Sequence, residues 1–172
     1  MLILHTKTDS DTTIYGQLVL PYEMREKSRL RAALSSGEEV GVFTTRGTVL
    51  RDGDLLKGDD ERVVRIISAL EPTYKVQCPT ARDLLRCAFH LGNRHTQAEV
   101  GADDGIGFLR IRQDSVLKEM LEGLGATVTL DHAKFEPESG AYSGGGHHHH
   151  GEPHALAPIP LRQKIHRPSD PK

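Results

Sequence analysis

Two short helical stripes, each opened by a capping side chain, with a strand, a turn and a strand between them, constrain this chain more than any other feature. Thr80 is suited to an N-cap with Asp83 three residues on, and Ala81, Leu84, Leu85 and Ala88 follow at helical spacing as one apolar face. Gly92 and Asn93 can adopt positive φ and stop that helix. Asp114 caps the second helix, whose stripe is Val116, Leu117, Met120, Leu121 and Leu124, and Gly125 ends it. Residues 97–100 and 106–111 read as strands joined by the turn Asp103-Asp104-Gly105, and residues 74–78 and 126–130 as flanking strands. The order is β-α-β-β-α-β, the ferredoxin-like split βαβ arrangement, with both helices expected on one face of a four-stranded sheet.

Upstream of Leu70-Glu71-Pro72 the pattern is β-rich. Ile14, Leu18 and Leu20 precede Pro21, residues 40–45 are compact and β-prone, and Asp52-Gly53-Asp54 signals a turn between strands. Residues 61–68 carry Val63, Val64, Ile66 and Ile67 as a further strand, while 28–34 suits either a helix or a strand. Short strands at this spacing suggest a small barrel or sandwich. Arg25, Lys27, Arg29 and Arg31 alternate as a solvated strand face or a weak surface for an acidic partner. Beyond Tyr142 the chain is rich in Gly, His and Pro and has no hydrophobic period, which predicts disorder. The fold class is therefore α+β: a β-rich N-terminal domain (1–72), a ferredoxin-like domain (73–142) and a disordered His-rich tail (143–172).

With no Trp and 5% aromatic residues, the cores must be small and built from Val, Ile and Leu, and such domains gain from a partner subunit. A formal net charge of −2 gives no reason to expect nucleic acid or an anionic membrane as partner. No apolar run is long enough to span a bilayer and the N-terminus resembles no secretory signal, so a cytoplasmic location is expected. Cys78 and Cys87 match no zinc motif or disulfide framework, and both read as small buried hydrophobes. HExxH, GxSxG and Walker patterns are absent, and Gly105-Ile106-Gly107 lacks the rest of a dinucleotide fingerprint, so no enzyme is expected.

Ten histidines are the exception to this plain composition. His90 falls in the last turn of the first helix and His95 just past its end. Imidazole suits nickel, copper and zinc, and a ligand in a post-helical loop is easy to expose and exchange. Position alone also allows that His90 interacts favourably with the helix C-terminus and that His95 is an ordinary surface residue. His147, His148, His149, His150 and then His154 form a chelating run flanked by glycine, set within native sequence that continues well beyond it. His5, His132 and His166 have no visible partners in the sequence.

His90-Leu91-Gly92-Asn93-Arg94-His95 resembles the HLGNRH motif of UreE-type urease accessory proteins. Phe135-Glu136-Pro137-Glu138-Ser139-Gly140-Ala141-Tyr142 resembles the FEPEAGAY of the same family, with Ser139 in place of Ala. Residues 120–128 and parts of 20–29 and 46–54 are similar too. The resemblance implies a β-rich domain often called peptide-binding, in which 28–34 is a strand, and a ferredoxin-like metal-binding domain that forms a homodimer. It implies that His95 of each subunit ligates Ni(II) at the interface, and it marks the His147–His150 and His154 tail as a family feature. Arg112, Gln113 and Ser115 stand where some members carry extra histidines, so no further site is expected there. The implied action is ligand exchange that delivers nickel to the urease accessory GTPase and the urease apoprotein. Zn(II) or Cu(II) is possible in vitro, because ligand type alone does not overrule the intrinsic affinity order. A general metal-storage or detoxification protein, and a zinc hydrolase using His90 and His95, are the alternatives from other classes.

Overall fold

The computed structural model describes residues 1–9 and 13–139. Seven elements make the first part of the chain: β1 (Leu2–Thr8), β2 (Ile14–Leu20), α1 (Tyr22–Arg25), β3 (Arg29–Ala33), β4 (Glu39–Phe43), β5 (Leu55–Gly58) and β6 (Val63–Ser68). Their six strands form one curled sheet in the order β2-β6-β5-β1-β4-β3, rather than a closed barrel or a sandwich. Alternation of side chains turns Leu2 and Leu4, Leu18 and Leu20, Val40 and Val42, and Val64 and Ile66 into one buried cluster. The curl brings the chain after β3 back to β2, where the Ser35 N–H donates to the Gln17 carbonyl at 2.9 Å. Residues 28–34, which suited a helix or a strand, contain strand β3 paired antiparallel to β4. Of the four alternating cations, only Arg29 and Arg31 lie exposed along β3; Lys27 reaches Glu23 at 3.3 Å, and Arg25, on the single turn α1, is fully buried.

The second part runs β7 (Glu71–Gln77), α2 (Ala81–Asn93), β8 (Ala98–Asp103), β9 (Ile106–Arg112), α3 (Ser115–Gly123) and β10 (Thr127–Ala133). The sheet order is β10-β7-β9-β8 with every neighbour antiparallel, as the split βαβ reading requires. Asp104 and Gly105, at φ 50° and 80°, form the tight turn between β8 and β9. Tyr74 and Val76 of β7 and Leu109 and Ile111 of β9 pack with Cys87, Leu91 and Leu121 of the helices in a single core. The α2 stripe is displaced from expectation, whereas the α3 stripe keeps its phase and loses one residue. On α2 the inward residues are Leu84, Cys87, Ala88 and Leu91, while Leu85 is 71% exposed and lies beside Phe89 at 65%. On α3, Leu117, Met120, Leu121 and Leu124 face inward, and Val116 is left outside.

After β10 the chain crosses back over the first sheet. Phe135 is buried with its ring edge-on to Tyr22, centroids 5.4 Å apart. The Arg25 guanidinium donates to the carbonyls of Leu50 (3.0 Å) and Phe135 (2.6 Å) and to Glu136 Oε1 (2.7 Å). Glu136 also accepts from Arg51 at 3.1 Å and from the Ser68 hydroxyl, and its own N–H donates to Glu99 at 2.8 Å. Glu99 in turn holds Arg110, which reaches Asp131. The Phe135-Glu136-Pro137-Glu138-Ser139 stretch is thus a strap whose Glu136 carboxylate is satisfied from the first part of the chain, while its backbone N–H groups at Glu136 and Glu138 donate to Glu99 and Ala98 of the second sheet. No described helix is long and apolar enough to cross a membrane.

Candidate metal centre

The site begins with how α2 is bounded. Thr80 caps its start by accepting from the Asp83 N–H at 3.1 Å, and the Thr80 hydroxyl hydrogen bond holds the Asp83 carboxyl below its ordinary range. The helix does not stop at Gly92 or Asn93: both stay helical, and Arg94 is the C-cap. The residue that turns the chain is His95, at φ 53°. Its N–H donates to Gly92 O at 2.9 Å and the Thr96 N–H to Leu91 O at 3.1 Å, the paired bonds of a Schellman closure. Helix α3 ends by the same pattern, with Gly125 N–H to Glu122 O at 2.9 Å and Ala126 N–H to Leu121 O at 3.1 Å. There the left-handed position is Gly125, at φ 90°. A histidine therefore stands where the sister helix uses glycine. A side chain with a Cβ in that conformation costs about 1 kcal/mol, and such residues persist where the surroundings or function demand them.

The αL backbone leaves His95 exposed and on the rim of two depressions. One, of about 390 Å³, has an apolar floor that includes Leu91, Ala98 and Leu109, with Glu138 of the strap at its edge. The other, of about 580 Å³, is polar and lies between Glu26 after α1 and the Arg94, Arg112 and Asp114 side chains. His90 is half-buried in the last turn of α2, its ring edge-to-face with Phe89 at 5.5 Å. Among the described residues no three His, Cys, Asp or Glu side chains converge as a metal site. His95 thus offers one accessible imidazole rather than a complete ligand set among the described residues, and His147, His148, His149, His150 and His154 lie outside the described residues.

Of the histidines without visible partners, His5 contacts Thr6 and Asp59, both at 2.7 Å, and His132 is exposed on β10. Leu85 and Phe89 on α2 and Val100 on β8 leave three large apolar side chains exposed, and Val100 lines the same groove as His95. Reading α2 as a single apolar stripe placed Leu85 on the inward face and left Phe89 out. Phe89, four residues after Leu85, was the signal for a second stripe.

Two family models match the chain: the N-terminal domain of the UreE urease accessory protein over residues 3–69, and its C-terminal domain over residues 71–157. The chain belongs to the UreE urease accessory protein family. It is 65% identical to the urease accessory protein UreE of Nitrosospira multiformis, over 99% of this chain and 98% of that one. It is 67% identical to that of a Janthinobacterium species over the same shares, and 45% identical to that of Pseudomonas fluorescens over 98% of this chain and all of the relative. Both motifs that carried the resemblance are structural as well as distinctive in this UreE-family chain. HLGNRH is the closure of α2, and the described part of the FEPES segment is the strap over the first sheet.

Proposed function

We propose that this chain is a nickel metallochaperone of urease maturation, binding Ni(II) through His95 as a cytoplasmic homodimer and passing it on by ligand exchange. The observation that carries this reading is the exposed histidine at a left-handed helix end, where the fold alone favours glycine. One imidazole is a poor metal site. A second copy docked symmetrically over Leu85, Phe89 and Val100 would bury exposed apolar surface and supply a second His95. Two imidazoles leave positions for water or for His147–His150 and His154, and an incomplete sphere releases metal stepwise where a closed four-ligand site holds it. The strap edges the His95 groove at Glu138, nine residues before His147, and that length of extended chain spans roughly 30 Å. The acceptor in this reading is the urease assembly machinery, its accessory GTPase and the urease apoprotein, as the relatives' names suggest for them.

Calorimetric titration of nickel into the full chain, into His95→Ala and into a chain ended at Tyr142 tests the proposal. The expected result is loss of the tightest site in His95→Ala, and fewer ions per dimer with the tight site retained in the shortened chain. Binding should weaken as pH falls, because only neutral imidazole donates to metal. If shortening abolishes binding and His95→Ala leaves it intact, the tail is a store and the storage reading replaces this one.

A further inference from the structure

Cys78 and Cys87 play no part in the metal reading, yet the fold brings them together. Cys78 follows the last residue of β7 and is half-buried, whereas Cys87 lies in the second turn of α2 and is fully buried in the second core. Their sulfur atoms are 3.7 Å apart, within hydrogen-bonding distance, with either thiol able to donate. A disulfide needs its sulfurs about 2.05 Å apart, a closure that rotation of two thiol side chains supplies more readily than backbone movement. Nine positions apart, one on the strand and one on the helix packed above it, the two side chains are held facing each other by core contacts with Leu84, Ala88 and Val76.

We propose that Cys78 and Cys87 form an intramolecular redox site that closes to a disulfide under hydroperoxide. The two sulfurs differ in access, which orders the steps. Peroxide reaches the half-exposed Cys78 sulfur first: the sulfur attacks, the O–O bond breaks, a sulfenic acid forms and one water leaves. The Cys87 sulfur then attacks the oxidised sulfur, the S–O bond breaks, and the thiol proton and the departing hydroxide leave as a second water. Two thiols are oxidised by two electrons and one peroxide is reduced. Burial, followed by the hydrogen bond with Cys87, pushes the Cys78 thiol up to about 12. Since the thiolate is the reactive form, closure is slow at neutral pH and quickens in alkaline buffer. The product ties the end of β7 to the body of the helix that presents His90 and His95, so the state of the sulfurs sets how firmly that helix is held.

The test uses the full chain, fully reduced, treated with hydrogen peroxide, then denatured and alkylated. The expected product has no alkylatable thiol, has lost two hydrogens, contains a Cys78–Cys87 cross-linked peptide, runs as a single chain without reductant, and reverts with dithiothreitol. Its melting temperature should exceed that of the reduced protein, because a short loop is closed in the unfolded state. Cys78→Ser, checked for folding by circular dichroism, should keep Cys87 alkylatable and show no such rise. Accumulation of Cys78 sulfinic acid beside a free Cys87, or cross-links only between chains, overturns the proposal.

Discussion

At His95 two requirements fall on one side chain: the backbone there wants glycine, and the exposed position offers a nitrogen donor. The two requirements can be separated. His95→Gly should raise stability by roughly 0.5–1 kcal/mol, because it relieves the left-handed strain, and it should remove tight nickel binding at the same time. Denaturant unfolding and a nickel titration on the same preparation check both halves; a destabilised His95→Gly would mean that the imidazole packs. His95 itself was legible from the motif around it. Its conformation was not, because Gly92-Asn93 offered the obvious stop signal and drew the helix end forward. The clue lay in comparing the two helix ends, where Leu91 precedes His95-Thr96 at the same spacing as Leu121 precedes Gly125-Ala126.

Helix α2 carries two apolar stripes rather than one, and they have different tasks. Leu84, Cys87, Ala88 and Leu91 hold it to the sheet; Leu85 and Phe89 face outward. Phe89→Glu should therefore leave the fold intact but turn the proposed dimer into a monomer and weaken nickel binding with it. Light scattering beside circular dichroism reads this out, and a dimer that survives the substitution places the interface elsewhere. Caps, turns and strand order were readable because they depend on local chemistry: Thr80 and Asp114 accept from the third residue on, as their positions suggested. The inward face of each helix was less so, since Leu85 and Val116 fit an apolar period and only the partner surface decides which side is inward. α1 escaped notice because one turn, Tyr22–Arg25, is too short to show a period.

The strap ties the first sheet to the second, held on one side by backbone bonds to β8 and on the other by ion pairs that sequence could not assign, since Arg25 and Glu136 lie 111 residues apart. Arg25→Met should cost about 2–3 kcal/mol through loss of the guanidinium that joins Leu50, Phe135 and Glu136, seen as a lower urea midpoint. Asp52 gives the same region a pH dependence. Its hydrogen bond from Lys134, then that from the Ser68 N–H, hold the Asp52 carboxyl below its ordinary range. A depressed carboxyl contributes stability above its unfolded pKa and loses it as pH falls through the folded value, so stability should fall below about pH 4. Asp52→Asn should flatten that acid loss in urea titrations; an unchanged slope would assign it to other carboxylates. The strap also imposes an order on biogenesis. The strands around Arg25 leave the ribosome long before Glu136 does, so the nascent first sheet holds a cation whose counter-charge has not yet been translated. Full consolidation of the first sheet therefore waits on the synthesis of the second.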